Sequence, residues 1–487
     1  MAKNRVIIDC YTDEPAGLGV PPFIGTWPRY LSGSYRDLPL YLTIDDLRLL
    51  SRKENLVLNP KSGKTKIGLI NHTRNRNQVR QIIKKADQLI FNLGIQTPGK
   101  YLAAKPASLK EVLKLTEKIK TSKIIVGPIS HSGSQRIGGK RAEMASLKDF
   151  NSIKKYNFPN YEQLQNDILK GNSILNQIPQ KRIIEIETGR GCYRKKGCSF
   201  CTEPLKGKVE WRCADHIVEE INELIKMGRK YIRLGKQSCI YSYGDGDYNQ
   251  LEYLIKSISA QQPEVFHIDN ANPAMVTAPK TKLLAQYLTP GSTAAMGAES
   301  FDPAVIKQNN LNSTPEKCLK AIEIINQYGK KRGDNGCHYL LPGINILLGL
   351  EGETKTTLRK NYEFLKSVID KGYLLRRINI RKVVPFPGTD LNKRCGNKYL
   401  KKNKKYYRNF IKAVREDIDQ PMLKLLFPKG IVLKNLFAEI HDKNTTFLRH
   451  FGSYPIVVGV KKRIPLNQFY NVEITDHMLR SLVGKVI

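Results

Sequence analysis

The sequence predicts an α/β protein built from two strand–helix series, followed by a small antiparallel β-barrel. Two observations predict the strand–helix part: short apolar runs alternate with amphipathic segments over residues 1–150, and the same alternation returns over residues 182–427. This alternation is typical of parallel sheets covered by helices. A third observation predicts the barrel, because residues 428–487 contain short runs of alternating polarity after a Pro–Gly pair.

Composition limits the class of protein. The 487 residues are 40% hydrophobic and 26% charged, which fits a core-forming protein and excludes a disordered or disulfide-rich chain. The longest apolar runs, such as Ile344–Leu350, are far shorter than the roughly 18 residues of a membrane helix, and the first residues lack the pattern of a secretory signal. Nine cysteines with a single tight cluster indicate a reducing compartment, and we expect a cytoplasmic protein.

The net charge is strongly positive. Lys and Arg number 81 and Asp and Glu 44, giving a formal charge of +37. A surplus of this size attracts phosphate-rich partners, nucleic acids above all. The alternative is a compositional bias of the genome, since the chain is rich in Lys, Ile and Asn.

The N-terminal series predicts a doubly wound sheet over residues 1–150. Ser108 and Glu111 have the spacing of a capping box at a helix start. The predicted strands are Val6–Asp9, Ile67–Ile70, Leu89–Leu93 and Ile124–Val126. Residues 151–181 are polar and helix-prone, and we interpret them as a helical linker.

The second series predicts a parallel sheet or a partial (β/α)6 barrel over residues 182–427, with its site at the carboxyl ends of the strands. A helix with one apolar face is expected over Ala214–Met227. The six predicted strands are Arg182–Glu187, Tyr231–Leu234, Val265–Asp269, Thr293–Met296, Gly343–Leu348 and Arg377–Val384. For the C-terminal barrel we expect Asn435–Asp442, Tyr454–Val460 and Phe469–His477.

Three cysteines, Cys192, Cys198 and Cys201, follow the first strand of the second series. Three thiolates in one loop can bind three irons of a [4Fe–4S] cluster, which leaves the fourth iron open to substrate or cofactor. Neighbouring basic residues are expected to favour the thiolate forms: Arg190, Arg194, Lys195 and Lys196.

The alternative for this loop is a structural zinc site completed by Cys213 or a histidine. The spacing C-x5-C-x2-C is less regular than the paired knuckles of zinc sites, and Cys213 begins a helix. The remaining cysteines show no ligand spacing, so we expect a single cluster. They are Cys10, Cys213, Cys239, Cys318, Cys337 and Cys395.

Residues 182–390 resemble the radical S-adenosylmethionine (SAM) superfamily, and within it the methylthiotransferase-like branch. Cys198–Ser199–Phe200–Cys201 matches the second half of the family's usual C-x3-C-x2-C signature, while the five-residue gap after Cys192 departs from it. Further similar elements occur in the family's order, at Leu234–Gln237, Met296–Ser300, Gly349–Thr354 and Pro385–Thr389.

The resemblance implies an enzyme that cleaves SAM reductively to a 5′-deoxyadenosyl radical, with electrons from a donor such as ferredoxin or flavodoxin. It assigns no catalytic side chain. Phe200 is expected on the adenine side, Gly235 and Gln237 near the methionyl group, and Glu299 and Asn345 near the ribose or amino acid part. Asn270 and Asn272 are expected at the same mouth of the barrel.

The flanking parts carry weaker resemblances. Residues 428–487 resemble a TRAM domain, a small barrel that binds RNA in tRNA-modifying enzymes. The expected RNA contacts are Lys461, Lys462 and Arg463, while the barrel's aromatic residues, Phe447, Phe451, Tyr454, Phe469 and Tyr470, either stack on bases or fill the barrel. The N-terminal part resembles a flavodoxin-like domain without the D-x-H-x-x-G motif for cobalamin. It also lacks the three cysteines of methylthiotransferases, since only Cys10 precedes residue 192.

As a whole the chain resembles an archaeal radical SAM family of undetermined activity. We expect it to modify tRNA or another structured RNA. The first alternative is modification of a protein or peptide, and the second is a zinc-stabilised nucleic-acid-binding module without catalysis.

Overall fold

The computed structural model describes residues 3–12, 19–51, 68–94, 102–127, 129–132, 144–154, 160–194, 196–454 and 456–487. The chain divides into two compact units. The first consists of Met1–Ile186 and Glu219–Arg229, and the second of Glu187–Val218 and Lys230–Ile487. Within the described ranges, every helix is too short or too polar to cross a membrane.

The first unit is an α/β structure. Its strands are β1 (Arg5–Asp9), β2 (Phe23–Ile24), β3 (Leu40–Thr43), β4 (Gln88–Asn92), β5 (Ser122–Val126), β6 (Ser152–Ile153) and most of β7 (Ile183–Glu187). Its helices are α1 (Thr26–Gly33), α2 (Ile44–Leu50), α3 (Arg76–Lys85), α4 (Leu109–Thr116), α5 (Ile129–Ser132) and α6 (Tyr161–Asn172). Five strands form a parallel sheet in the order β3-β1-β4-β5-β6, and β2 pairs in parallel with β7.

The predicted strands β1, β4 and β5 are confirmed within two residues at each end. The strand expected at Ile67–Ile70 is wrong for its described residues: Leu69 makes only an isolated bridge to Ala104, and Ile67 lies outside the described ranges. The sheet instead takes its edge strand from Leu40–Thr43, which the sequence analysis did not select.

Helix α4 begins at the predicted cap, but the capping box is only half formed. The Ser108 hydroxyl accepts a 3.1 Å hydrogen bond from the amide of Glu111. The Glu111 carboxylate turns instead to the guanidinium of Arg48, at 2.9 Å. The stronger charge-assisted contact therefore replaces the reciprocal bond of the box.

The segment interpreted as a linker contributes structure to this unit. Its strand β6 joins the sheet beside β5, and α6 packs against α1 through a buried cluster of Tyr30, Tyr161, Leu164 and Ile168. The two helix backbones approach so closely that a Cβ on Gly33 would lie 1.8 Å from the carbonyl oxygen of Asp167.

The second unit holds the predicted site. Helix α7 (Ala214–Lys226) begins in it. Its core strands are β8 (Gly189–Arg190), β9 (Glu210–Trp211), β10 (Tyr231–Gly235), β11 (Val265–His267), β12 (Asn270–Ala271), β13 (Ser292–Glu299), β14 (Leu340–Leu348) and β15 (Arg377–Lys382). The other helices are α8 (Tyr248–Ala260), α9 (Ala278–Tyr287), α10 (Pro303–Gln308), α11 (Pro315–Gly329), α12 (Lys355–Asp370), α13 (Asp390–Arg394), α14 (Lys398–Ala413) and α15 (Gln420–Leu426).

These core strands run parallel, except for the short antiparallel pair of β8 and β9. Strand β10 pairs with β11, and β12, β13, β14 and β15 form a four-stranded sheet in that order. Alternation separates its two faces. Ile344 and Ile378 are buried on one face, while Asn345 and Asn379 lie side by side on the other, where Gly297 is exposed. The polar face is the one that bears the predicted site residues.

The C-terminal strands close a five-stranded barrel. They are β16 (Val432–Asp442), β17 (Thr445–His450), β18 (Val457–Val460), β19 (Phe469–His477) and β20 (Leu482–Val486). The expectation of an antiparallel barrel is wrong at one seam, because β18 and β20 pair in parallel. Strands β17 and β20 were not predicted: β17 alternates weakly, and β20 contains Gly484 where Val472 leaves no room for a side chain.

The C-terminal barrel packs on the amino ends of the core strands. Tyr231, the first residue of β10, contacts the ring of Phe451, with centroids 4.6 Å apart. His450 lies against Gly291, immediately before β13. Phe451 and Tyr454 are buried, so of the two alternatives these side chains pack in the interior rather than stack on bases.

Candidate active site

The three cysteines lie in a loop held by neighbouring backbone. The Ser199 amide donates to the backbone carbonyl of Asn309 at 3.0 Å, and the Ser199 hydroxyl donates to the side-chain Oδ1 of Asn309 at 2.7 Å. Asn310 donates to the carbonyl of Gly197 at 3.0 Å. Gly191 has φ of +79°, and a Cβ there would lie 2.7 Å from the carbonyl oxygen of Lys208. The loop therefore follows a backbone path that only glycine accepts at its start.

Burial dominates the electrostatics of the thiols. It raises the pKa of Cys198 to about 11 and the pKa of Cys201 well above its ordinary range. Arg194 donates to the Cys198 sulfur at 3.3 Å and opposes that shift without cancelling it. Arg194 thus favours the Cys198 thiolate as expected, but burial outweighs it, and metal binding would have to release the protons of both thiols.

Of the other basic neighbours, one forms an ion pair and another lies outside the described residues. Arg190 forms an ion pair with Glu210 at 2.6 Å, and Lys195 lies outside the described residues. Cys192 is half-buried. The Cys192 thiol contributes to the raised pKa of both Cys198 and Cys201, which places it within electrostatic range of them.

The donor set fits an iron–sulfur cluster better than a single ion. Among the described residues, no group of three or more His, Cys, Asp or Glu side chains is close enough to hold one metal ion. A [4Fe–4S] cluster binds each thiolate through a different iron, so it spans thiols that a single zinc ion cannot reach. Cys213, the fourth ligand of the zinc alternative, is exposed just before α7.

Gln237 combines complete burial with an unused amide. Gly235 ends β10, and Lys236 follows with φ of +66°. The Gln237 side chain has zero exposure, yet neither its Oε1 nor its Nε2 has a hydrogen-bond partner. A buried amide without partners costs free energy unless a ligand satisfies it. Asn270 donates to the Gln237 carbonyl at 3.1 Å and fixes this turn.

The cysteine loop contacts the end of the third strand. Asn272 donates from its Nδ2 to the Tyr193 hydroxyl at 3.1 Å, and Asn312 donates to the same oxygen at 2.6 Å. The Asn272 Oδ1 accepts from the Ala274 amide at 3.0 Å. Phe200, between Ser199 and Cys201, is half-buried. The structure therefore brings Asn272 to the cysteine loop through Tyr193, a residue that the sequence analysis did not select.

Glu299 stands at a distorted strand end. The register shifts between Gly297 and Glu299, and Glu299 has φ of +62°, a conformation uncommon for a residue with a side chain. Burial raises the pKa of Glu299 to about 8, with Arg381 opposing the shift. At neutral pH this carboxyl group is mostly protonated, so it can donate a hydrogen bond as well as accept one.

Asn345 lies on the same face, on β14, the strand next to the edge strand β15. Its Oδ1 accepts hydrogen bonds from Arg377 at 3.3 Å and Asn379 at 3.2 Å. Arg381, two residues beyond Asn379, has a buried Nε without a partner. Along β15, Arg377, Asn379 and Arg381 alternate with the apolar Ile378 and Ile380 and form a polar face. That pattern could have indicated these residues from the sequence.

The predicted RNA contacts are far along the chain from this site. Lys461, Lys462 and Arg463 directly follow β18 of the C-terminal barrel and are all exposed. The Arg463 guanidinium donates to the carbonyl of Lys443 at 2.9 Å. The structure does not bring these residues together with the cysteine loop.

The arrangement can hold a redox cofactor and a polar ligand side by side. Three thiol groups would bind three irons, and the cluster would supply single electrons to a ligand on the remaining iron. The Gln237 amide has no hydrogen-bond partner in the protein, and the Glu299 carboxyl group is mostly protonated at neutral pH. Both side chains can therefore donate and accept hydrogen bonds and orient such a ligand.

Comparisons with known proteins agree with this chemistry. Residues 186–365 match the Radical SAM superfamily. An uncharacterised protein of Methanocaldococcus jannaschii is 40% identical over 100% of this chain and 94% of its own length. An uncharacterised protein of Archaeoglobus fulgidus is 35% identical over 99% and 89%.

Two characterised proteins are more distant. A ribosomal protein uS12 methylthiotransferase, RimO, of Carboxydothermus hydrogenoformans is 23% identical over 83% of this chain and 92% of its own. The structure of the radical SAM methyltransferase TsrM from Kitasatospora setae, with cobalamin and a [4Fe–4S] cluster bound, is 11% identical. It superimposes with a TM-score of 0.51, covering 80% of this chain and 77% of TsrM. The chain belongs to the radical SAM superfamily, in its methylthiotransferase-like branch, and is a radical SAM enzyme that uses a [4Fe–4S] cluster and SAM.

Proposed function

We propose that this radical SAM enzyme modifies a structured RNA, with tRNA as the first candidate, in the cytoplasm. The observation that carries the proposal is the net charge of +37. Phosphate contacts supply most of the affinity of proteins for nucleic acids, and a basic surface supplies those contacts. The electron donor would be a small reductant such as ferredoxin or flavodoxin.

In this proposal one cluster is held by Cys192, Cys198 and Cys201. The partnerless amide of Gln237 and the protonated carboxyl of Glu299 support a SAM site beside it. The remaining proposed SAM contacts are Phe200, Gly235, Asn272 and Asn345, all near the ends of core strands or in the cysteine loop.

The flanking parts have proposed roles as well. The five-stranded parallel sheet of the first unit has the strand order of a flavodoxin-like fold, which supports that assignment for residues 1–150. We propose residues 182–427 as the radical SAM core and residues 428–487 as a TRAM-like barrel. Exposed Lys461, Lys462 and Arg463 support a role of the barrel in RNA binding.

A second candidate is modification of a protein. The relative of Carboxydothermus hydrogenoformans that matches 83% of this chain is named for its action on ribosomal protein uS12. The relation is distant, and the charge of this chain suits a nucleic acid or an acidic protein.

The two candidates are separated by one experiment. The nucleosides of tRNA and rRNA from a deletion strain are compared by mass spectrometry with those of the parent strain, and ribosomal proteins are analysed in parallel. A nucleoside missing in the deletion strain supports RNA modification and identifies the chemistry. Unchanged nucleosides with an altered peptide mass would refute the RNA proposal and favour the protein candidate.

A further inference from the structure

Helix α14 carries an unusual concentration of positive charge. Its 16 residues contain seven Lys or Arg residues and no acidic residue. Five of them recur at helical spacing and form one line along the helix, which we call the basic stripe: Lys398, Lys401, Lys405, Arg408 and Lys412. All five are exposed. The buried residues Leu400, Asn403, Tyr407 and Phe410 lie two positions away, about 200° around the helix.

The basic stripe differs from the other charged helices of this unit. On α12, Arg359 pairs with Glu363 at 3.2 Å and Lys366 with Asp370 at 2.8 Å. Along the basic stripe, like charges are neighbours at i+3 and i+4, which destabilises a helix by roughly 0.2–0.5 kcal/mol per pair. Among the described residues the stripe has one acidic neighbour, Glu416, 3.8 Å from the ammonium of its last lysine.

The helix is anchored beside the loops at the carboxyl ends of the strands. Leu400 packs on Gly349, where an added Cβ would lie 2.6 Å from the leucine side chain. The Tyr407 hydroxyl donates to the buried carboxyl of Glu353, in the loop after β14. These contacts fix the buried face of α14, so the basic stripe faces away from the core.

The segment before α14 contacts the cysteine loop directly. The amide of Leu391, in α13, donates to the carbonyl of Ser199 at 2.8 Å. Arg394, at the end of α13, pairs with Glu351 at 2.9 Å. The segment that leads into the basic stripe is therefore joined to the cysteine loop by a hydrogen bond. The C-terminal barrel, in contrast, packs on the amino ends of the same strands, against Tyr231 and Gly291.

We propose that the basic stripe binds the phosphate backbone of an RNA in a track that begins beside the cysteine loop and runs along α14 towards the amino end of β15. This inference rests on the proposed function and adds where the RNA lies. The stripe spans 14 residue steps, about 21 Å, with a positive charge at every turn, which suits several successive phosphates. At the edge of the basic stripe, Tyr406 is half-buried between Lys355 and Lys405 and offers an aromatic face.

The test measures binding of unfractionated tRNA to the full-length, cluster-loaded protein under anaerobic conditions, as a function of salt. The test variant is Lys401→Gln/Lys405→Gln/Arg408→Gln, which removes three charges and keeps good helix formers. The matched control removes three exposed lysines elsewhere in the unit, Lys282→Gln/Lys317→Gln/Lys371→Gln. A third variant replaces Lys461, Lys462 and Arg463 with Gln. Circular dichroism verifies that all variants are folded.

We expect the stripe variant to bind tRNA at least tenfold more weakly at moderate salt than the control variant does. Its slope of log K against log salt should be smaller by about 2–3, since each lost phosphate contact removes 0.7–0.9. A stripe variant that behaves like the control overturns the inference, and a loss confined to the third variant assigns RNA binding to the barrel alone.

Complementation keeps this result separate from the proposed function. Expression of each variant in the deletion strain shows whether it restores the missing nucleoside. If wild type and stripe variant restore it equally, the RNA function stands and the stripe inference fails. If the deletion strain lacks no nucleoside, the proposed function itself fails.

Discussion

The phenolic hydroxyl of Tyr454 donates a 2.7 Å hydrogen bond to Oδ1 of Asp269, joining the C-terminal barrel to the core. Both side chains are buried. Asp269 also forms an ion pair with Arg233, and the Arg377 guanidinium lies 3.5 Å from the centre of the Tyr454 ring. The barrel is thus fastened by a polar contact with side chains from three different parts of the core.

This contact predicts a graded loss of stability. Tyr454→Phe removes one buried, charge-assisted hydrogen bond and should lower the free energy of unfolding by about 1.5–3 kcal/mol. Asp269→Asn removes the carboxylate of a buried ion pair and should cost about 3–5 kcal/mol. Urea unfolding measures both. The control is Tyr470→Phe, whose hydroxyl bonds to the Pro465 carbonyl at an exposed position, with an expected change within about 0.5 kcal/mol.

Equal effects of Tyr454→Phe and Tyr470→Phe would contradict this account of the interface.

The contact between Tyr454 and Asp269 also determines how RNA binding is tested. Deleting residues 430–487 would expose the ion pair of Asp269 and Arg233, so a truncated enzyme would lose stability whatever the barrel binds. Point substitutions at exposed residues avoid that confusion.

The cysteine loop predicts the metal content. Replacing Cys192, Cys198 or Cys201 with Ser should reduce the iron content of the anaerobic protein from about four atoms per chain to a small fraction, and abolish formation of 5′-deoxyadenosine, because three ligands hold the cluster. Iron analysis and chromatography of the nucleoside measure these outcomes.

The matched control is Cys213→Ser, which changes an exposed cysteine outside the loop and should keep both iron and activity. Zinc in place of iron, lost on changing Cys213, would instead establish the zinc alternative. About eight irons per chain would contradict the expectation of one cluster.

Local patterns predicted the parts of this molecule that depend on short stretches of sequence. The cysteine spacing indicated the cluster loop, and short apolar runs located the core strands within a few residues. Glu299 was also selected, through the resemblance of Met296–Ser300 to an element of the radical SAM family. The protonation of Glu299 could not be predicted from the sequence, because its raised pKa arises from burial by the folded chain.

Features that depend on distant residues could not be predicted in the same way. The parallel seam of Val458 with Leu482 is a property of barrel closure and leaves no mark on either strand. The segment Lys401–Arg408 was clearly basic, but its direction depends on Glu353, whose carboxyl anchors Tyr407 from another loop. Burial likewise outweighs the effect of Arg194, which lowers the pKa of the Cys198 thiol as expected.

Glu353 predicts a pH dependence of stability. Burial raises its pKa from 4.5 to about 7, although hydrogen bonds from Tyr407, Asn403 and the Gly349 amide oppose the shift. The folded state therefore holds this proton more tightly than the unfolded state does. Its contribution to stability is greatest below pH 4.5, falls as the pH rises towards 7, and is constant above that.

Glu353→Gln removes this titration and keeps an acceptor for Tyr407. The difference in unfolding free energy between wild type and variant should shift in favour of the variant by up to about 3 kcal/mol between pH 5 and pH 8. Urea unfolding across that range measures it. Glu363→Gln, at an exposed position on α12, is the control and should show no such shift. Parallel curves for wild type and Glu353→Gln would refute the assignment.

Gln237 predicts opposite effects on stability and on cofactor binding. Its amide is fully buried and has no hydrogen-bond partner in the protein, so Gln237→Leu breaks no internal bond and removes the cost of burying two polar atoms. The variant without ligand should be as stable as wild type or more stable. Its affinity for SAM should fall about tenfold, equivalent to about 1.4 kcal/mol, because the ligand loses a buried hydrogen bond.

Calorimetric titration of the cluster-loaded protein with SAM measures the affinity, and urea unfolding measures the stability. Gln286→Leu, at an exposed position on α9, should change neither. A structural role alone would lower stability and leave the affinity of the folded fraction unchanged, and that result would remove Gln237 from the SAM site.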